Sequence, residues 1–217
     1  MDRISPDLEK NRQWVEETFQ NCDDILHRQV FLNNGKDEGI LVYVEVAVSN
    51  LMLEEHVIGL SDVQPLKSYE EGKTALLAGN GLLFLDGDTN CYKISSKGYP
   101  GLGVKKAENE KVIRGSQEAF TESEKINVAL IRKRLRDSRM KVEEQTVGVR
   151  SHTMTALVYM EDLIYQGLLT TMKQQLQRYE IDGILDSGML EQLSEKHWLS
   201  PFPQFQTTQR PDRAAMA

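Results

Sequence analysis

An internal repeat constrains this chain more than any other feature. Displaced by 116 residues, Leu41-Val42-Tyr43-x-Glu45 falls on Leu157-Val158-Tyr159-x-Glu161 without a gap. At the same offset Asn11 falls on Asn127, Gln29 on Gln145, Leu53 on Leu169 and Leu60 on Leu176. These eight identities between residues 6–60 and 122–176 exceed the roughly 3 that average residue frequencies give by chance. The order of expected elements weighs more, because each copy reads helix, strand, strand, helix. The expected fold class is α/β, with two related mixed-sheet subdomains from a duplicated helix–strand–strand–helix unit and inserted β-hairpins in the first.

Ser5, Pro6 and the acidic Asp7 and Glu9 predict an N-cap, an N1 proline and a favourable first turn. The helix runs to about Asn21, with Leu8, Val15 and Phe19 facing inward. Ile25–Leu32 and the β-branched, aromatic-rich Gly39–Ala47 read as strands around the turn cluster 33–37. Residues 49–60 read as a second helix. In the second copy, Thr121 with Glu124 three later reads as a capping box opening a helix to about Asp137. Strands are expected at Lys141–Val149 and Thr155–Glu161, and a helix at Leu163–Tyr179. Between the copies, Thr74–Ala78, Gly81–Asp86 and Asn90–Ile94 read as short strands, followed by a glycine-rich segment at 97–103. Beyond the second copy come a short helix at Met189–Lys196, a break at Pro201 and Pro203, and a helix opened by Arg210-Pro211-Asp212-Arg213.

The chain has 26 basic and 33 acidic residues, a net charge of −7, which disfavours a surface given over to nucleic acid. Its longest apolar run, Ile40–Val48, is interrupted by Glu45 and is far shorter than the ~18–20 residues of a spanning helix. Met1-Asp2-Arg3-Ile4-Ser5-Pro6 lacks the apolar stretch of a secretory signal. Cys22 and Cys91 have no paired spacing, which points to a reducing compartment rather than a disulfide framework. The chain stops inside an expected helix at Ala217, as if cut from something longer.

Catalytic chemistry is not signalled. His27, His56, His152 and His197 stand far apart with no ligand-spaced carboxylate or cysteine, and no nucleophile motif occurs. No metal, cofactor or enzymatic activity is expected. Two constellations stand out instead. The first is a cationic helix and its exit, Arg132, Lys133, Arg134, Arg136 and Arg139. Cations at a helix C-terminus complement its dipole by ~0.3–1 kcal/mol each, and their density suits a subunit or membrane-surface contact. The second is Arg114-Gly115-Ser116-x-Glu118, where cation, hydroxyl and carboxylate before a helix could bind a small polar ligand or fasten the subdomains.

Arg114-Gly115-Ser116-x-Glu118-x-Phe120, the helix from Asn127 to Arg136, Val147-Gly148-x-Arg150-Ser151, Asp182-Gly183-Ile184-Leu185-Asp186-Ser187-Gly188, Ser200-Pro201-Phe202-Pro203-Gln204 and Arg210-Pro211-Asp212-Arg213 together resemble the A-subunit family of bacterial spore germination receptors (GerA). The likeness spans roughly 112–217 with high specificity, and residues 1–111 match loosely. Ile113, Gln117 and Ser138 depart from the family's usual choices. The family has a sporulation-protein branch with the same motifs.

The resemblance implies a region that precedes several transmembrane helices in the inner spore membrane and faces the spore core. It implies a transporter-like B subunit and a lipoprotein C subunit as partners and a response to small germinants such as amino acids, sugars or nucleosides. The cationic helix on a chain of net charge −7 would also suit a homo-oligomer. The expected divisions are residues 1–118 and 119–199 as the two subdomains, and 200–217 as a linker entering a helix towards the membrane. Pro201, Pro203, Arg210, Pro211, Asp212 and Arg213 would transmit the signal. Arg114, Gly115, Ser116, Glu118, Arg150 and Ser151 would line a ligand cleft or the subdomain interface, with Arg150 and Glu118 meeting across a hinge.

Overall fold

The computed structural model describes residues 3–46, 63–95, 110, 114–178, 180–184, 186–195 and 205–217. The helix expected at 49–60 and the segment 97–103 lie outside them.

Helix α1 (Leu8–Thr18) starts two residues later than its Ser5–Pro6 signal, because Asp7 is the cap and takes the Glu9 N–H at 3.0 Å. Ser5 supports that cap from outside, its Oγ accepting the Asp7 N–H at 3.1 Å. Leu8, Val15 and Phe19 are buried, as their helical spacing predicts. Asn21, at φ 58°, turns the chain out of the helix and into β1 (Ile25–Leu32). A short turn at 33–35 leads back along β2 (Asp37–Val44).

The first sheet has the order β1-β2-β4-β5-β3, with β3 at Val63–Leu66, β4 at Gly81–Leu85 and β5 at Cys91–Ile94, and every neighbouring pair is antiparallel. Strand β2 is interior, between β1 and β4, and from Gly39 to Val44 it is buried on both faces. Gly39 is required there, since a Cβ would stand 2.6 Å from the Phe84 carbonyl oxygen on β4.

Thr74–Ala78 is not a strand. It is the second half of helix α2 (Tyr69–Leu77), with only Ala78 beyond its end. Ser68 Oγ accepts the Glu71 N–H at 3.3 Å and Glu71 reaches back to the Lys67 N–H at 2.9 Å, an arrangement close to a capping box. Leu76 and Leu77 then bury against the sheet.

The second copy is α3 (Glu124–Arg132), β6 (Met140–Val147), β7 (Thr153–Met160) and α4 (Gln166–Gln177), followed by α5 (Ser187–Ser194) and α6 (Pro211–Ala214). Helix α3 is shorter than expected and its cap is Ser123, not Thr121. Strands β6 and β7 form a two-stranded antiparallel sheet. Among the described residues, the parallel element of the expected mixed sheets is one bridge, Cys22 with Val142, which joins the lobe of the five-stranded sheet to the lobe of β6 and β7. There Val142 N–H donates to the Asn21 carbonyl and Asp23 N–H to the Val142 carbonyl, both at 2.9 Å.

The duplication extends to individual hydrogen bonds. Asn11 Nδ2 donates to the Ser5 carbonyl at 2.8 Å, and Asn127 Nδ2 donates to the Thr121 carbonyl at 2.8 Å. The Ser5 hydroxyl takes the Asp7 N–H, and the Thr121 hydroxyl takes the Ser123 N–H at 3.2 Å. Each pair is related by the offset of the sequence repeat.

Candidate functional site

The junction of the lobes is built around Arg132, which is fully buried. Its position four residues after Val128 puts it on the inward face of α3, where it crosses to the first lobe. Nε donates to Asp24 Oδ2 at 2.8 Å and Nη2 to Asp24 Oδ1 at 2.7 Å, a bidentate pair. Nη1 donates to the Met140 carbonyl at 3.0 Å and to the Asp137 carbonyl at 3.3 Å. Burial works against the charge of Arg132, but the Asp24 carboxylate outweighs it and holds the guanidinium above its ordinary pKa. The adjacent Cys22 thiol is pushed up by burial. Arg132 is therefore unavailable to a membrane or another subunit, and that expectation fails for it, because a buried guanidinium needs its partners inside the fold.

Most of the cationic helix is neutralised internally. Glu118 Oε1 accepts from Lys133 Nζ at 3.0 Å, and Oε2 from Arg134 Nη2. Arg134 also donates to Ser116 Oγ at 3.1 Å and to the Leu130 carbonyl at 2.7 Å. Partial burial alone would raise the Glu118 carboxyl, yet the two cations bring it below the ordinary range. Arg139 pairs with Asp137 and, at 2.6 Å, with Asp162. Arg136 is exposed and has no carboxylate partner among the described residues.

The six expected cleft residues do not converge. Arg114 and Gly115 are exposed, Gly115 at φ 127°, while Ser116 and Glu118 are engaged by α3. Arg150 and Ser151 sit in the β6–β7 turn and hold residues 181–184: Arg150 Nε lies 3.4 Å from Asp182 Oδ1, and Ser151 Oγ accepts the Ile184 N–H at 3.2 Å. Glu118 and Arg150 thus have separate partners and do not meet: Glu118 is taken by Lys133 and Arg134, and Arg150 by Asp182.

Residues 205–217 are tied to the lobes. Phe120 N–H donates to the Gln209 carbonyl at 2.8 Å. Glu110 accepts from Thr208 Oγ1 at 2.7 Å, from Gln209 N–H at 3.0 Å and from Arg213 Nη1 at 2.9 Å. Pro211 is the buried first residue of α6, and Arg210 pairs with Asp212. Pro201 and Pro203 lie outside the described residues.

Asp24, which carries the junction, is not among the expected site residues; its sequence signal is a lone Asp-Asp step entering a strand. Two surface clefts are of note. One of about 440 Å³ lies between α2 and the exit of α3, with Lys73, Thr74, Arg136 and Arg139 in its wall. The other, about 270 Å³, is lined by Ala156, Leu157, Met172, Leu176, Leu190 and Phe205. Among the described residues, no group of three or more His, Cys, Asp or Glu side chains is placed to hold a metal ion, and no helix is long and apolar enough to cross a membrane.

The Bacillus/Clostridium GerA spore germination protein family matches residues 52–217. The chain is 30% identical to the membrane protein YfkQ of Bacillus subtilis (strain 168) over 98% of its length and 45% of that protein. It is 27% identical to spore germination protein KA of the same strain, over 98% of the chain and 43% of the relative. It is also 30% identical to that strain's stage V sporulation protein AF, over 89% and 39%. The chain thus spans less than half the length of these relatives. The crystal structure of the N-terminal domain of the A subunit of the Bacillus megaterium spore germinant receptor GerK3 superposes with a TM-score of 0.74 at 22% identity, covering 100% of this chain and 89% of that one, a likeness of fold.

Proposed function

The chain belongs to the Bacillus/Clostridium GerA spore germination protein family, and from that membership we propose that this region is the cytoplasmic part of a receptor A-type subunit, which assembles the receptor and transmits the germination signal. The observation that carries this reading is the Arg132–Asp24 junction. A buried bidentate pair, with the guanidinium also held by two backbone carbonyls, resists opening, because parting the lobes breaks two charge-assisted hydrogen bonds at once. Two lobes locked in this way move as one body rather than as a hinge that closes on a small molecule. Residues 205–217 are keyed to that body through Glu110 and Phe120. Displacement of the lobes would therefore be passed to whatever follows α6, which in the family is the membrane part. The partners proposed are the B and C subunits and further copies of the A subunit, in the inner spore membrane. The role is signalling rather than catalysis.

The test uses spores carrying the full-length protein with Glu110→Gln, which loosens the C-terminal segment without touching the junction. Germination in response to nutrient should slow while the subunit accumulates at its normal level. Unchanged germination kinetics would remove residues 205–217 from the signal path.

The relative named stage V sporulation protein AF favours a second reading, in which the same rigid body serves assembly in the sporulation branch. Deletion would then leave nutrient sensing intact and disturb spore formation or a later common step. Small germinants binding in the cleft beside Arg136 are a narrower form of the first reading. Saturable amide shifts at Lys73 and Arg136 in titrations with amino acids, sugars or nucleosides would support it.

A further inference from the structure

Beside the Arg132 junction, carboxylates from both lobes are brought together. Glu45 follows the end of β2, Glu124 opens α3 and Glu144 lies on β6. Lys125 bridges the lobes, its Nζ 2.5 Å from Glu45 Oε1. Asp23 approaches from the first lobe and takes the Glu144 N–H at 2.8 Å. A void of about 10 Å³ remains between Val44, Glu45, Lys125, Val128 and Glu144. Among the described residues, the buried Glu124 Oε1 finds no hydrogen-bond partner. A buried carboxylate oxygen with no donor is costly while it carries charge and much less so once protonated.

We propose that this seam is a proton-sensitive joint: proton uptake by the carboxylates of Glu124 and Glu144 tightens α3 and β6 against the first lobe, and proton release loosens them. The groups facing Glu124 are Glu144, Lys125 and Glu45; those facing Glu144 are Lys125, Glu45, Asp23 and Asp24. Burial is the larger cause that lifts both carboxyls above their ordinary range; the neighbouring carboxylates add to it and Lys125 opposes it. A carboxyl with a higher pKa folded than unfolded stabilises the fold through its proton. That stabilisation is complete below the unfolded value, about 4.3 for glutamate, and is lost as pH rises through the folded value. The joint is therefore tight in mild acid and strained at neutral pH. This rests on the seam alone and stands whichever receptor role the region has.

The experiment compares the 217-residue chain with its Glu124→Gln, Glu144→Gln variant by amide hydrogen exchange at Asp23 and Val142, whose N–H groups form the inter-lobe bridge. Corrected for intrinsic rate, wild-type protection relative to the variant should rise several-fold between pH 7.5 and pH 5, with a ceiling of about tenfold per unit of raised pKa. Parallel pH profiles for the two proteins would overturn the proposal. If the variant does not fold, the carboxyl carbons of Glu124 and Glu144 are titrated in the wild type. Midpoints above the ordinary glutamate range support the joint, and midpoints at or below it overturn it.

Discussion

The two lobes share an entry device and differ in everything packed behind it. Both copies open with a hydroxyl that takes the N–H of the helix cap, and with an asparagine that ties the incoming backbone to the first helix. Behind that device the first lobe buries a core running from Ile4 to Ile94, in which β2 is covered on both faces. The second lobe's cluster of buried residues is small, Val128, Met140 and Val142, with Leu130, Val147, Leu169 and Ile184 buried outside it, and β7 stays half-exposed along most of its length. At the offset of the repeat, Ile40 is matched by Ala156 and Gly39 by Thr155. Gly39 lets β4 approach; Thr155 instead turns its hydroxyl to the Gln145 carbonyl at 3.0 Å, on the strand it already pairs with. One lobe stands on apolar burial, whereas the other depends on polar fastening to its neighbours.

That contrast breaks most visibly at the junction. Arg132→Ala should cost about 3–5 kcal/mol, the range for removing one partner of a buried ion pair, and urea unfolding should lose a single cooperative transition. Retention of one sharp transition with a loss under about 1 kcal/mol would show that the lobes hold together without it. Gly39→Ala should cost about 1–3 kcal/mol through overpacking against β4, while Thr155→Ala, its counterpart, should cost about 1 kcal/mol, one hydrogen bond. Equal losses at the two positions would erase the distinction between a crowded and an open strand.

Smaller still is the difference between the paired asparagines. Asn11 Oδ1 accepts from the Tyr69 hydroxyl at 2.6 Å and Asn127 Oδ1 from the Thr121 N–H at 2.7 Å, but Asn11 is fully buried and Asn127 only half-buried. Asn11→Ala should therefore destabilise more than Asn127→Ala, about 2 against about 1 kcal/mol. Acid should act first on the second lobe. Burial raises Glu118 and Glu143, but Lys133 and Arg134, and Lys173 with Tyr159, bring each below its ordinary value. Their contribution is present above the unfolded pKa and lost as pH falls through the lower folded one. Below about pH 4, the ordinary glutamate range, amide signals of α3 and β6 should broaden before those of β2. Simultaneous loss would mean that the lobes have no separate acid response.

Much of the architecture was legible because it is local. The β-branched run of β2 and the Pro211 helix start are read from neighbouring residues, whereas the 116-residue offset shows only when the chain is compared with itself. Thr74–Ala78 was misread because strand propensity within five residues was weighed without the Ser68-x-x-Glu71 cap six residues earlier, which commits the segment to a helix. The junction was not legible as such. Arg132 stood among other cations, and its partner Asp24 is 108 residues away. The inward spacing of Val128 and Arg132 could have marked one cation as buried, but no sequence rule names the carboxylate it meets. Glu118 was legible as a polar residue with a task, and its two cations follow from α3 ending beside it.

The most direct test of the locked junction is a pulsed electron–electron distance measurement between spin labels on the exposed positions Lys36 and Gln166, one in each lobe, with the buried Cys22 and Cys91 left unlabelled. A single narrow distance, unchanged by amino acids, sugars or nucleosides and broadened by Arg132→Ala, is the predicted result. Two distances in the wild type, or a shift on adding any of those ligands, would make the junction a hinge and contradict the rigid-body account.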